Sequence, residues 1–405
     1  MKRVLLTTGG TGGHIFPALA VAEELKERYP SLRILFLGSK RGPEGDLAQN
    51  AGLEFIGLPV EGVIGRGLKG IRAMFKLAVA VIRAVGVMGR FRPQVVVGFG
   101  GYASFPGVLA AWLTRRPALL QEQNSVPGVS NKLLAKFVKR VCCGFEAAKT
   151  SFPEHKAVFT GNPVRADIRA MGRKMLTGNG GELETAGPEG AQAKPAMLTR
   201  CDQVAGLGGR LLVLGGSQGA KAVNSAVLDM LDRLLERGVD ILHQAGRMDL
   251  ERVRQGYEAR GVVPNPVVPF IEDMAQAYQW ADLILCRAGA ATVAEAAVAG
   301  KGCLFIPFPF ATHNHQVANA AYLVEAGAAA MVEEKDLATV DLGGMVLDIL
   351  GDGERLQTMS HKARQMGRPE AAAAVVAEME RVIPDAANKD GEENQASQED
   401  PEDTI

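Results

Sequence analysis

The sequence predicts an α/β protein of two doubly wound, Rossmann-like domains that face each other across a cleft. Three observations carry this expectation. Short apolar runs alternate with helical patterns along most of the 405 residues, the rhythm of parallel strands wrapped by helices. The series starts twice, first with runs near 4–8, 33–38, 54–58, 94–99, 117–120 and 157–159, then at 211–214, 241–244, 267–270, 283–286 and 303–306. A strand, glycine loop and helix open both series, and Gly9 lies 206 residues before Gly215. A chain of this length also exceeds one ordinary domain.

The first opening is Val4-Leu5-Leu6-Thr7-Thr8 followed by Gly9-Gly10-Thr11-Gly12-Gly13-His14, and Ile15-Phe16-Pro17-Ala18-Leu19 begins a helix. Glycines let backbone approach a ligand closely, and the free N–H groups of a helix start favour an anion. Similar loops recur at Gly98-Phe99-Gly100-Gly101-Tyr102 and Gly215-Gly216-Ser217-Gln218-Gly219-Ala220. The dinucleotide fingerprint fails at both of its remaining tests. From Gly10 the pattern reaches Ile15 where Gly or Ala is required, and the second strand ends in Ser39-Lys40 instead of an acid. Nicotinamide and flavin chemistry is thereby disfavoured, and there is no Walker lysine. Three such loops point to phosphate-rich ligands.

Leu68–Met88 is apolar over 21 residues yet carries Lys69, Arg72, Lys76 and Arg83 on one helical stripe. Four charges exclude a comfortable membrane span. Two readings stay open: a helix packed on the sheet with a solvated face, or a basic and apolar face for an anionic lipid surface, extended by Trp112, Arg115, Arg116, Lys136, Lys139 and Arg140. Charge agrees with an anionic partner: residues 1–165 hold 23 Lys/Arg against 10 Asp/Glu, and the remainder 22 against 35. Nucleic acid is disfavoured, because no reader motif or aromatic interleaving accompanies the basic half. Five cysteines without metal spacing read as reduced core thiols, and the direct start into a strand reads as no export signal.

The expected domains are 1–165, facing acceptor and membrane, and 166–368, with their junction after Gly161-Asn162-Pro163-Val164-Arg165. Residues 172–209 are Gly/Pro/Ala/Glu-rich and read as a flexible insertion without chemistry. Residues 369–383 read as an Ala-rich helix able to cross back to the first domain, and 384–405 as a disordered acidic tail.

The densest constellation is Cys286-Arg287-Ala288-Gly289-Ala290-Ala291-Thr292-Val293-Ala294-Glu295, where small residues after a strand bring helix N–H groups to a phosphate. Glu295, one turn in, suits two ribose hydroxyls. Pro307–Gln316 follows the next strand, again at the edge where ligands of such sheets bind. His313 and His315 without a third ligand make no metal site.

In order along the chain, Gly9–His14, Gly98–Tyr102, Glu122-Gln123-Asn124, Gly161–Arg165, Gly215–Ala220 and Arg287-Ala288-Gly289-Ala290 resemble the MurG family, N-acetylglucosaminyltransferases of peptidoglycan synthesis. The resemblance covers roughly 2–168 and 210–380. It implies a GT-B fold and transfer of N-acetylglucosamine from UDP-GlcNAc to the muramoyl 4-hydroxyl of an undecaprenyl-diphospho-muramoylpentapeptide. No cofactor is expected, and without an Asp-x-Asp motif in the two domains the leaving group is expected to rely on helix N-termini and Arg165 in place of an obligatory metal. The expected setting is the cytoplasmic face of the inner membrane, bound peripherally, with cell-wall synthesis proteins as further partners.

The resemblance also implies roles. Ile271 meets uracil through its backbone, Glu295 the ribose, and Ser217 with Ala290, Ala291, Thr292, Val293 and Ala294 the diphosphate. Arg165 sits near the phosphates, Asn124 and Gln316 hold sugar hydroxyls, and Thr11, Gly12, Gly13 and Tyr102 face the acceptor diphosphate. The family often has Asp where this chain has His313. His14 at the loop tip is the first candidate for general base, since histidine titrates near neutrality. Glu122 is the second, and a structural role for His14 in orienting the loop remains the competing reading. Another GT-B nucleotide-sugar enzyme, such as a 2-epimerase, and a non-catalytic UDP-sugar-binding module are the alternative functions.

Overall fold

The computed structural model describes residues 1–10, 12–40, 42–60, 69–176, 208–216, 219–309 and 314–384, with backbone alone at 69–73 and 176. Thr11, Ser217, His313, most of the expected insertion and nearly all of the acidic tail lie outside the described residues.

The first domain runs β1 (Arg3–Thr7), α1 (Gly12–Arg28), β2 (Arg33–Ser39), α2 (Glu44–Asn50), β3 (Glu54–Leu58), α3 (Lys69–Phe91), β4 (Val95–Gly98), α4 (Ser104–Leu113), β5 (Ala118–Glu122), α5 (Val129–Leu134), β6 (Arg140–Cys143) and β7 (Ala157–Phe159). Its seven strands are parallel in the order β3-β2-β1-β4-β5-β6-β7. After α6 (Ala166–Leu176) the second domain runs β8 (Arg210–Leu214), α7 (Lys221–Glu236), β9 (Asp240–Gln244), α8 (Leu250–Glu258), β10 (Val267–Val268), α9 (Met274–Trp280), β11 (Leu283–Cys286), α10 (Ala290–Val298), β12 (Gly302–Phe305), α11 (His315–Val324), β13 (Ala329–Met331), α12 (Leu342–Leu350) and α13 (Gly353–Met366). Its six parallel strands are ordered β10-β9-β8-β11-β12-β13.

Strand order reverses between β1 and β4 in one sheet and between β8 and β11 in the other. Loops leaving two such neighbours part in opposite directions and open a crevice at the carboxyl ends. The glycine loops after β1, β4 and β8 and the turn after β11 all begin at these two points. In the first domain two of them touch: Gly101 has φ +74°, and a Cβ there would lie 1.9 Å from the Gly9 carbonyl oxygen. Only glycine fits both the angle and the contact.

The central strands are buried on both faces, which is why they read as continuous apolar runs. Two strands fall outside the expected series. β6 starts on a basic residue, and β13 is only Ala-Ala-Met. Helix α6 continues through Leu176, so the segment expected to lack structure from Gly172 begins as helix. Met171 is buried in the second core and Met175 packs against it, which holds that turn in place.

The last helix among the described residues, α14 (Ala371–Val382), packs on the first domain. Ala372, Val375, Val376 and Met379 share a core with Val4, Leu6 and Ile15, and Glu380 bonds Arg28 (3.1 Å) and Tyr29 (2.6 Å). Arg169 on α6 adds a second tie, reaching Glu24 (2.5 Å) and Glu27 (2.6 Å) on α1.

Helix α3 packs one side on the first domain and leaves an apolar stripe exposed. Ala80, Ala84 and Met88 are buried against the first domain, while Met74, Phe75 and Ile82 are exposed by 64%, 71% and 71%. Phe75 and Ile82 are seven residues apart and share a stripe, with Lys76 and Arg83 on the next. Trp112 and Leu113 at the end of neighbouring α4 are exposed as well. Arg140 belongs elsewhere, bound to the His155 carbonyl and facing buried Glu378 of α14 at 3.5 Å. No helix among the described residues is long and apolar enough to cross a membrane. Cys142, Cys143, Cys286 and Cys303 are buried free thiols.

Candidate active site in the interdomain cleft

A cleft of ≈ 530 Å³ separates the two carboxyl edges. Gly12, Gly13, His14, Phe16, Gln123, Asn124 and Arg165 line it from the first domain. Gly215, Gly216, Gln244, Phe270, Ala290, Ala291, Thr292, Glu295, His315 and Gln316 line it from the second.

His14 lies within the first turn of α1, not at a loop tip. Its Nδ1 is 2.7 Å from Gln123 Oε1. The Gln123 Nε2 donates to the Phe99 carbonyl (2.8 Å) and to the Gln121 carbonyl (3.2 Å). Since those partners only accept, Oε1 must face His14, and His14 Nδ1 must carry the hydrogen. The neutral ring then keeps its lone pair on Nε2. The backbone of Gly100 makes room for the ring: a Cβ there would stand 3.1 Å from Nδ1.

Glu122 is placed differently from the expectation of a second base. Its side chain does not line the cleft, and its carboxylate is occupied by the loop that follows and by the first turn of α5. It accepts from Asn124 N–H (2.9 Å), Asn124 Nδ2 (3.3 Å), Gly128 N–H (3.2 Å) and Asn131 Nδ2 (2.9 Å). A buried carboxylate with four such donors organises backbone and has no lone pair turned to substrate. The equivalent support under the first glycine loop is Glu44, whose Oε1 accepts from Gly10 N–H at 2.9 Å.

On the second domain, α10 points its N-terminus into the cleft. Its first turn closes from Val293 N–H to the Gly289 carbonyl (2.9 Å), so the N–H groups of Ala290, Ala291 and Thr292 precede any intrahelical acceptor. Val293 and Ala294 do not line the cleft. Helical rotation turns Val293 into the core, fully buried, and carries Ala294 off the open face. Arg287, next to this turn, is spent on scaffolding: it donates to the Ile306 and Pro307 carbonyls (3.0 Å each) and pairs with Glu334 at 2.5 Å.

Glu295 is buried and accepts from the Tyr278 hydroxyl at 3.1 Å. Desolvation raises its pKa above the usual carboxylate value, while the Arg165 charge opposes that rise. Arg165 Nε stands 3.5 Å from Glu295 Oε1 and has no hydrogen-bond acceptor, and its guanidinium lies 4.3 Å from the Phe16 ring centre. The interdomain link thus meets the carboxylate expected to hold ribose.

The remaining residues sort by position. Ile271 N–H donates to Gln244 Oε1 (3.2 Å), so its backbone is near the cleft while its side chain is buried. Gln316 Oε1 accepts from Phe308 N–H at 2.9 Å. Asn124 lines the cleft between the domains. Tyr102 is 38% exposed on the first domain and stands outside the cleft. Gln123, Gln244 and Asn319, which hold His14, Ile271 and Asn124, were not singled out by sequence reasoning. Gln123 alone had a signal, its place inside the Glu122-Gln123-Asn124 motif.

Two parallel-sheet domains with glycine loops meeting across a cleft define the GT-B architecture, and family models place the chain among glycosyltransferases. Residues 4–143 match the glycosyltransferase family 28 N-terminal domain and 210–375 the family 28 C-terminal domain, so the chain belongs to glycosyltransferase family 28. A protein of Nitratidesulfovibrio vulgaris strain DP4 is 51% identical over 376 residues, covering 93% of this chain and 96% of the relative. It is described as UDP-N-acetylglucosamine--N-acetylmuramyl-(pentapeptide) pyrophosphoryl-undecaprenol N-acetylglucosamine transferase. A Myxococcus xanthus protein of the same description is 41% identical over 92% of the chain and 91% of the relative. The crystal structure of Acinetobacter baumannii MurG superposes with a TM-score of 0.69 at 34% identity, over 94% of this chain and all of that one. The Neisseria meningitidis UDP-GlcNAc 2-epimerase shares the fold alone, at a TM-score of 0.62 and 15% identity.

Proposed function

We propose that this protein transfers N-acetylglucosamine from UDP-GlcNAc to the muramoyl 4-hydroxyl of an undecaprenyl-diphosphate-linked muramoylpentapeptide. The observation that supports it most is the pairing, in one cleft, of a helix N-terminus suited to a diphosphate with a histidine whose Nδ1 is engaged by Gln123, which leaves Nε2 as the acceptor nitrogen of the neutral ring. The identity of 51% to a relative bearing that description agrees.

In this reading the donor diphosphate meets the N–H groups of Ala290, Ala291 and Thr292, with Ser217 and Arg165 beside it. Glu295 accepts from the ribose hydroxyls, the Ile271 backbone meets uracil, and Asn124 and Gln316 hold the sugar. The acceptor diphosphate lies along Thr11, Gly12 and Gly13, towards Tyr102. The acceptor oxygen forms a bond to the anomeric carbon as its proton passes to His14 Nε2. The bond from that carbon to the UDP oxygen breaks, and its electron pair leaves with UDP. Helix N–H groups and Arg165 stabilise the developing negative charge. One displacement on the α-linked donor inverts the anomeric carbon and yields a β-1,4 linkage.

The exposed Phe75, Ile82 and Trp112, flanked by Lys76 and Arg83, serve as the face that meets an anionic membrane, on the cytoplasmic side where UDP-GlcNAc is found. The experiment is incubation with UDP-GlcNAc and a lipid-linked muramoylpentapeptide analogue. Glycosylated lipid and stoichiometric UDP are expected, and the appearance of neither overturns the reading.

A further inference from the structure

Asn319, on α11 of the second domain, is fully buried where the two domains touch. Its Oδ1 accepts from Ser125 N–H at 2.8 Å, and its Nδ2 donates to Asn124 Oδ1 (3.2 Å) and to the Ala288 carbonyl (3.3 Å). A backbone N–H only donates, so the carboxamide has one possible orientation, with both Nδ2 hydrogens directed to acceptors. That orientation dictates the next. Asn124 presents Oδ1 to Asn319 and therefore Nδ2 to Glu122 Oε1, at 3.3 Å. Asn124 is gripped from both sides, by a carboxylate of its own domain and a carboxamide of the other. It retains one N–H and one lone pair for a ligand. Gln316 lies one helical turn before Asn319, so α11 carries a cleft residue and the lock on Asn124 together.

We propose that Asn319 is a positioning residue that makes Asn124's presentation to the donor sugar depend on contact between the domains. This rests on the reading of Asn124 as a sugar-holding residue. When the domains part, Ser125 N–H and Asn124 Oδ1 lose their partner and the Asn124 carboxamide is free to rotate. When they meet, the sugar subsite is completed. The uridine diphosphate subsite on α10 does not pass through Asn124 and stays intact in either arrangement.

The test compares UDP with UDP-GlcNAc. Asn319→Asp keeps the size and the acceptor for Ser125 but turns an oxygen towards Asn124 Oδ1 and the Ala288 carbonyl. UDP affinity should change less than about twofold, while UDP-GlcNAc affinity falls on the order of tenfold, the scale of one lost directed hydrogen bond. Asn124→Ala should produce the same split, and the double variant should be no worse than about twofold beyond either single one. Equal weakening of UDP and UDP-GlcNAc, or fully additive losses, overturns the coupling. An Asn124→Ala variant with normal UDP-GlcNAc affinity overturns the sugar-holding role and the coupling with it. A normal Asn319→Asp beside an impaired Asn124→Ala overturns the coupling alone. Asn319→Ser gives the same readout if the Asp variant does not fold.

Discussion

His14 Nδ1 and Gln123 Oε1, 109 residues apart in sequence, meet at 2.7 Å, and that contact sets which ring nitrogen is free. Replacing His14 by Ala should lower kcat by roughly 10²–10⁴-fold, the range of a positioned general base, with donor KM within about threefold. Gln123→Leu should lower kcat less, by roughly tenfold, because the ring is retained but no longer held. In steady-state assays at saturating donor, the double variant should match His14→Ala. Near-normal turnover of His14→Ala returns the residue to loop support.

Glu295 supplies the pH dependence. Burial raises its folded pKa above the ordinary carboxylate value, with the Arg165 charge opposing the rise. Its contribution to stability is full below the unfolded value near 4.5 and is lost as pH rises through the raised folded value. Glu295→Gln should remove this component. Thermal melts of the free protein should show the variant gaining on the parent as pH climbs from 4 into the neutral range. A parallel pair of melting curves contradicts this. The same variant should bind UDP on the order of tenfold more weakly, the scale of a charge-assisted hydrogen bond.

Ala291→Asp separates stability from binding. A carboxylate in the first turn of α10 favours the helix by about 0.3–1 kcal/mol. It also sits where the diphosphate is expected, so UDP affinity should drop by more than about tenfold while uridine affinity holds. Calorimetry with both ligands reads the difference, and equal loss for uridine and UDP argues against a phosphate site there.

Phe75→Ser with Ile82→Ser should leave the melting temperature within about 2 °C, since both side chains are already exposed. Binding to vesicles containing phosphatidylglycerol should weaken by roughly tenfold or more, from the loss of apolar insertion. Unchanged sedimentation with vesicles assigns the face to something other than lipid.

The sequence made the strands and glycine loops legible because their signals are local. A doubly buried parallel strand is a continuous apolar run, and a turn with positive φ at Gly101 needs a glycine wherever the rest of the chain lies. β6 and β13 escaped because Arg140 masks one and alanines dilute the other. The cleft was half legible for the same reason: Gly12, Ala290 and Thr292 line it at turns whose backbone course is encoded nearby. Asn319 was not, because its meaning comes from Asn124, 195 residues away. Glu122 was read as a second base from its residue type and motif, whereas the four donors that occupy it come from the following loop and the start of α5, whose path is tertiary.

Helix α14 closes a core whose other members are made first. During synthesis, Val4, Leu6 and Ile15 are built early, whereas Val375, Val376 and Met379 emerge only after the whole second domain. At roughly 5–20 residues per second, the intervening stretch of about 200 residues takes on the order of 10–40 s to translate. Throughout that interval the first sheet stands with one apolar flank uncovered on the ribosome. The nascent chain therefore offers a holding chaperone a defined target, which disappears when α14 arrives.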